Sequence, residues 1–462
     1  MIGRTELRKR AVGALSAFPV YRAMPLQEPR DALAILYLVK NASASEACRY
    51  IDNTGRIPTQ RASAVLLGGR AAFQAGRDDL LDQFLVRAKS MCPGQAELAI
   101  LQSDIAAFRG NYTAALRHAE HARLLAPASP DAAARSVRLH YLAADQDAAN
   151  GNALNTLKRF SQSLPVLWAA SKHCATEAQF DALHAIWRAG LRGARDLSRT
   201  IRPLGNAALR VERFVDAAGL YAEAALVELS GKGLNRAIKE KRLKGKGGLS
   251  VISDVREVLE RANIPFFLAA GTALGIIRDG RPLDHDNDID VGVFEQNWDR
   301  ERLEAAFLQH PNFDFDNPHT KSRKIGLIHR GGAAIDLFCF YKEKESFYHD
   351  AVFVRWENAP FELQEKQLPS GPVMLPSPED VYLTENYGDW RTPDPGFDAF
   401  VQGPNVEVIW PEYFAVHRVR QGYKRVCAKD MEGAKREFSA AGSVLRETDA
   451  GRQLANKLGC KK

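Results

Sequence analysis

The chain lacks any apolar run near the ~18–20 residues that a membrane-spanning helix needs. Its first residues, MIGRTELRKRAVGALSAFPVYRAM, are basic but hold no clean apolar core of signal-peptide length. Cysteine is sparse and scattered: six residues, none in a CxxC spacing. That pattern argues against a zinc site or a disulfide framework, and reduced thiols fit a cytoplasmic protein. Neither sign of charge dominates, with 63 Lys and Arg against 56 Asp and Glu, a net of +7. A pI near 9.0 leans toward anionic partners, but the surplus is too small to define one. Hydrophobic residues at 45% and charged residues at 26% exclude wholesale disorder and collagen-like structure. At roughly 150 residues per domain, 462 residues make two or three domains.

What is present divides the chain. From about Pro25 to Leu229 it is rich in Ala, Leu and Arg. Leu98, Leu101, Ile105 and Phe108 form the stripe of an amphipathic helix, broken at Gly110-Asn111. Ala115, Ala119 and Ala122 mark the next helix, which Pro127 ends. Gly76 and Gly110 are 34 residues apart, as are Ala88 and Ala122, and Pro93 and Pro127. A helix–turn–helix period of 34 with small residues in the second helix resembles a tetratricopeptide repeat. The matches fade after residue 130, and a plain helical bundle is the alternative. Such an array offers a surface for a peptide, a glycan or a protein partner.

Residues 231–248, GKGLNRAIKEKRLKGKGG, carry seven Lys or Arg, one Glu and five glycines, and read as a flexible boundary. Residues 411–462 read as helical, with twelve Lys or Arg against six Asp or Glu. No strong apolar face is visible there, so a solvated basic end is expected, with contact to an anionic membrane as the alternative. The basic residues of both stretches lack interleaved aromatics, so no specific nucleic-acid partner is expected.

The chemistry lies between these stretches. An amphipathic helix marked by Leu249, Ile252, Val255 and Leu259 precedes IPFFLAAGTAL, a short strand expected to end at Gly271-Thr272. The run DHDNDIDVGVF follows. On a strand, Asp288 and Asp290 share a face, while Ile289 and Val291 point into a core. Paired carboxylates repel and are costly to bury unless a cation lies between them. Mg²⁺ commonly takes one or two carboxylates together with substrate phosphate oxygens. Asp336, within the apolar run AAIDLFCFY, offers a third carboxylate, as metal ligand or general base. Gly271 lets backbone approach a phosphate, Thr272 offers a hydroxyl donor, and Arg278 offers charge. Lys321, Arg323 and Lys324 precede the GLIH strand and read as a solvated turn, with a donor phosphate contact as the alternative. Ser377-Pro378-Glu379-Asp380 reads as an N-cap, an N1 proline and an acidic first turn of a helix that stops at Gly388. Tyr387 and Trp390 then stand at its end, as a base or sugar platform or as a core aromatic pair. Each element alone has an ordinary structural account. Their combination in this order favours a phosphate-handling site.

The segment GTALGIIRDGRPLDHDNDIDVGV resembles the signature of the LicD/fukutin family, within the nucleotidyltransferase-fold superfamily. Gly271, Thr272, Gly275, Arg278, Asp286, Asp288, Asp290 and Gly292 match it without a gap. AAIDLF resembles the third-acid strand, and LPSPEDVYLTENYGDWRTP the closing motif, with Tyr387, Gly388, Asp389 and Trp390 in place. Asp284 and His285 stand where the family often has Pro-Trp, and Asn287 lies inside the acid run.

The resemblance, covering about residues 250–395, implies transfer of a phosphorylated alcohol from a CDP-linked donor onto a glycan hydroxyl. The alcohols it implies are phosphocholine, ribitol phosphate or glycerol phosphate, and lipid-linked glycans are among the acceptors. It implies Mg²⁺ or Mn²⁺ on Asp288, Asp290 and Asp336, and donor contacts from Gly271, Thr272, Arg278, Tyr387 and Asp389. The competing expectation is a nucleotidyltransferase moving NMP from an NTP onto a small molecule or protein. A catalytically dead scaffold is disfavoured by the intact acids. The expected architecture is α+β. A tetratricopeptide-like domain at 1–230 and a basic linker at 231–248 lead into a mixed-sheet catalytic domain at 249–410. A basic helical extension follows at 411–462. The expected setting is the cytoplasm, at the inner face of the membrane if the acceptor is lipid-linked.

Overall fold

A computed structural model describes residues 27–41, 43–58, 60–234, 246–283, 286, 288–315, 323–394 and 396–460. Most of the basic stretch 231–248, Lys321, and positions 284, 285 and 287 of the acid run lie outside the described residues. The chain falls into two compact units. One takes the described residues up to Ala128 together with Phe307–Asp314 and Ile328–Ala333, and the other takes Ser129–Ala306, Phe315–Leu327 and the remainder from Ala334.

The first unit is helical: α1 (Gln27–Asn41), α2 (Ala44–Thr54), α3 (Ala62–Gln74), α4 (Asp78–Met91), α5 (Ala96–Phe108) and α6 (Tyr112–Leu125). Gly76 and Gly110 turn the α3–α4 and α5–α6 pairs with φ of +73° and +70°, a backbone that glycine adopts without strain. Ala88 of α4 and Ala115, Ala119 and Ala122 of α6 are buried, so the small residues let paired helices approach. The Ser103 hydroxyl donates to the Ala115 carbonyl at 2.9 Å and fastens α5 to α6. In the same unit Arg330, 4% exposed, pairs with Asp78 at 2.9 Å.

The second unit opens with α7 (Pro130–Ala143), α8 (Gln146–Phe160), α9 (Leu164–Ser171), α10 (Glu177–Ala189), α11 (Ala194–Arg210) and α12 (Phe214–Leu229). Helices begin at residues 62, 96, 130 and 164, each 34 after the last. The spacing of helices therefore extends beyond the residue matches, which fade after residue 130.

Next come α13 (Lys246–Arg261), β1 (Phe267–Leu268), α14 (Ala270–Asp279), β2 (Asp288–Phe294), α15 (Arg300–Leu308), β3 (Phe313–Phe315), β4 (Lys324–His329) and β5 (Ala334–Glu343). The hairpin strands β6 (Ser346–Asp350) and β7 (Val354–Asn358), and the two-stranded β8 (Glu362–Leu368) and β9 (Gly371–Ser377), precede α16 (Glu379–Tyr387), α17 (Ala399–Gln402) and β10 (Val406–Val408). The main sheet runs β1-β2-β5-β6-β7-β10, with β4 also paired to β5. Its one parallel pair along that path joins β2 to β5 and sets Asp290 opposite Asp336. Ile289, Val291 and Val293 are fully buried, as the alternation of β2 requires. The architecture is α+β.

Two expectations are corrected here. Ser377 remains in β9, and Pro378 takes the N-cap of α16 with no side-chain cap. The C-terminal helices, α18 (Pro411–Cys427), α19 (Met431–Ala440), α20 (Ser443–Arg446) and α21 (Asp449–Leu458), are not a solvated end. Val416, Val419, Tyr423, Phe438, Leu445 and Leu454 are buried in one core with residues of α7 to α12. The Tyr423 hydroxyl donates to the Ser198 carbonyl of α11 at 3.1 Å. The apolar positions are spread over four short helices, so no single helix advertises the buried face. Among the described residues no helix is long and apolar enough to cross a membrane.

Candidate active site

Strand β1 is only two residues long, and α14 starts at Ala270, so Gly271 and Thr272 lie in its first turn rather than at a strand end. Ala270 enters that helix with φ of +42°, an uncommon value for a residue with a side chain. The Ala269 N–H donates to the Asp290 carbonyl at 3.1 Å, and the Ala270 N–H donates to the Tyr382 hydroxyl at 3.1 Å. The helix start is thereby fixed to the acid-bearing strand.

Thr272 completes this tie. Its hydroxyl accepts the Asp290 N–H at 2.8 Å, and the residue is 1% exposed. The sequence placed this hydroxyl on a phosphate; the structure places it on the backbone of β2. Gly271 borders the acids directly. A β-carbon there would stand 2.7 Å from Asp286 Oδ2 and 3.3 Å from Asp290 Oδ2. Glycine keeps that space open.

Asp286, Asp288 and Asp290 bring carboxylate oxygens within 4.8 Å of one another. Burial, then the charge of Asp286 and a hydrogen bond with it, push the Asp288 carboxyl up to about 7. Burial, then the charges of Asp288, Asp286 and Asp336, hold Asp290 well above the usual carboxylate range. Three acids crowded at this cost fit a divalent cation, which oxygen ligands of this kind bind. The third acid of the cluster is Asp286, which the sequence comparison matched but which was not assigned a role.

Asp336 faces a different partner. Lys324 Nζ donates to its Oδ2, with side-chain exposures of 29% and 19%. Burial works against the lysine's charge, but Asp336 first, then Asp288 and Asp290, hold its pKa above the ordinary value. Lys324 is thus a site cation and not part of a solvated turn. The signal available in sequence is its place at the start of the alternating strand KIGLIH.

These groups line a cavity of about 770 Å³ that lies within the second unit. Arg278 also lines it, but its guanidinium donates to the Trp390 carbonyl at 3.1 Å and pairs with Asp279 at 3.2 Å. Tyr387 and Asp389 border the same cavity. Burial first, then Asp290, raises the Tyr387 phenol, which stays protonated and able to donate. Asp389 is exposed and accepts the Thr392 hydroxyl at 2.7 Å.

The site is an acid cluster at the start of β2, ending in the buried Asp290, behind a Gly-Thr helix start, with a further acid on the neighbouring parallel strand. Residues 263–379 match the model of the LicD/FKTN/FKRP nucleotidyltransferase domain. Tyr387 and Asp389 fall beyond the matched segment. An uncharacterized protein of Rickettsia typhi is 29% identical over 163 residues, 33% of this chain and 50% of that one. A second, from Rickettsia prowazekii, is 24% identical over 164 residues, covering 33% and 59%. The human ribitol-5-phosphate transferase FKTN is 23% identical over 178 residues, covering 36% of this chain and 38% of the relative. The similarity thus spans between 38% and 59% of the length of these curated relatives.

Proposed function

We propose that this chain transfers a phosphorylated alcohol from a CDP-linked donor onto a glycan hydroxyl, with a divalent cation held by Asp286, Asp288 and Asp290. The observation that carries the proposal is the carboxylate cluster lining a substrate-sized cavity beside the Lys324–Asp336 pair. The family match and the name of the FKTN relatives support ribitol phosphate as the group moved. A cation bound by the three carboxylates would supply Lewis-acid neutralisation of diphosphate charge.

The protein's own groups perform the rest. Lys324 places a positive charge beside the carboxylates, where it would offset the negative charge that builds on the departing CMP. Asp336 lies on the adjacent strand in position to take the proton of an attacking hydroxyl. Tyr387 borders the cavity with a protonated phenol able to donate to a substrate oxygen. Thr272 and the tethered start of α14 keep the backbone under Asp290 fixed, which maintains the geometry that the chemistry requires.

The test is thermal unfolding of the full chain with CDP-linked alditols, CDP-choline, CTP, UDP and GDP, each with and without Mg²⁺. Native-state ligands raise the melting temperature. A magnesium-dependent shift confined to cytidine diphosphates, followed by release of CMP on adding a glycan, is the expected result. A shift with NTPs and release of pyrophosphate would replace this reading with nucleotidyl transfer, and no shift with any of them would refute both.

A further inference from the structure

The cavity has an aromatic wall beside its acids. Asp336, Phe338 and Phe340 share one face of β5, since side chains alternate along a strand. Lys324 Nζ, paired with Asp336, stands 5.1 Å from the centroid of the Phe338 ring. His349 of β6 meets Phe338 edge to face, with centroids 5.4 Å apart. Trp356 of β7 lies opposite His349 in the strand register. Phe338, His349 and Trp356 all line the cavity, as does Phe400 of α17, whose ring lies 5.4 Å from that of Trp356. The lining thus passes from charged groups to aromatic rings within two residues of β5.

His349 is a titratable group of this wall that the transfer chemistry above does not use. It is 2% exposed. Its ring is held between two others, from the strands on either side of β6: Phe340 stacks at 4.4 Å with 19° between planes, and Trp356 at 4.9 Å with 16°. The Trp356 indole N–H donates to the Ala399 carbonyl at 3.2 Å. Nδ1 of His349, by contrast, is buried with no hydrogen-bond partner among the described residues. Buried polar atoms are nearly always paired, so an unpaired one at a cavity wall marks a place for a group that the protein does not itself supply.

The character of that group follows from the ring. Burial holds the imidazole pKa down to about 3, so the ring is neutral and does not attract a phosphate by charge. A neutral imidazole offers one donor and one acceptor, both on its edge. A sugar would stack on an open aromatic face, and both faces of His349 are taken. What complements a neutral edge set among flat apolar rings is another planar, neutral hydrogen-bonding edge.

We propose, resting on the transfer reading above, that this wall seats the nucleobase of the donor and that the edge of His349 hydrogen-bonds that base, which makes His349 a specificity-determining residue. One ribose separates a phosphate from its base, and the step of about 7 Å from Asp336 to Phe338 along β5 is on that scale. A diphosphate held at the carboxylates and Lys324 therefore brings the base to the rings.

The test is calorimetric titration of the full chain in excess Mg²⁺ with CMP and with ribose 5-phosphate, which keeps sugar and phosphate and lacks the base. The wild type is expected to bind CMP at least about tenfold more tightly, from stacking and the hydrogen bond together. His349→Phe keeps the stack and removes both ring nitrogens. It should weaken CMP about five- to tenfold, leave ribose 5-phosphate unchanged, and leave the melting temperature unchanged or higher. It should also narrow the difference in affinity between CMP and UMP, whose bases present different edges. A purely structural role for His349 would move ribose 5-phosphate and the melting temperature together with CMP, and would overturn the proposal.

Equal affinity of the wild type for CMP and ribose 5-phosphate overturns it without any variant, so it stays refutable even if His349→Phe unfolds. CMP affinity unaltered in folded His349→Phe overturns it as well, as does a raised KM for the glycan acceptor with nucleotide affinity intact. These results leave the transfer reading standing. Binding of UMP or a purine nucleotide and not CMP, with the same dependence on His349, ends the CDP-donor reading and keeps the base seat. Binding of no nucleotide refutes both.

Discussion

Removing the charge of Asp288 should stabilise the metal-free protein and abolish its response to magnesium. The folded chain without metal keeps a proton on Asp288 up to about pH 7, whereas an unfolded chain releases it near the ordinary carboxylate value of about 4. Between those values the folded state binds more protons than the unfolded one. Stability of the metal-free protein therefore falls as pH rises from about 4 to about 7 and stays low above that. At about 1.4 kcal/mol for each pH unit, the penalty at pH 8 is of the order of 4 kcal/mol. Asp288→Asn removes this penalty and relieves Asp290, whose elevation includes the charge of Asp288. The assay is thermal or urea unfolding in EDTA from pH 5 to pH 8, repeated with excess Mg²⁺ or Mn²⁺. The wild type should lose stability with rising pH in EDTA and recover it with metal, because binding at 100 times Kd adds about 2.7 kcal/mol. The variant should be flatter in pH, more stable at pH 8 in EDTA, and nearly silent to metal. A wild-type profile that does not fall between pH 5 and pH 8, or a metal response of full size in the variant, would refute the reasoning.

Three further outcomes follow from the same geometry. Lys324→Met strands Asp336 without its cation and should cost about 2–3 kcal/mol in urea unfolding along with loss of turnover, while Lys324→Met with Asp336→Leu should regain most of the stability and none of the turnover. Gly271→Ala sets a methyl group 2.7 Å from Asp286 Oδ2 and should weaken Mn²⁺ binding, read by calorimetry, about tenfold with little change in melting temperature. Phe438→Ala, at a side chain 1% exposed in the core shared with α7 to α12, should destabilise the second unit by about 3–5 kcal/mol in urea, an effect that a solvated tail would not show.

The sequence disclosed those features that follow from local periodicity. Alternation along DIDVGVF put Asp288 and Asp290 on one face and Ile289 and Val291 in the core, and β2 is built that way. The 34-residue interval located the turns at Gly76 and Gly110 because a left-handed backbone position leaves its mark on a single residue. What escaped depends on partners distant in the chain. Lys324 gave the appearance of a turn lysine until β4 was seen beside β5, which brings it to Asp336. Thr272 carried the residue type of a phosphate donor, yet the early start of α14 turns its hydroxyl to the Asp290 amide. The basic tail was the largest miss, since twelve cations suggest a soluble end unless one knows which helix face is covered. The same helices that bury Tyr423 and Phe438 on one side present Arg420 and Lys424 to the cavity on the other. Burial of the apolar face is therefore what holds the cationic face in place. The cavity gains its basic wall from helices that lie beyond the matched segment, which ends at residue 379.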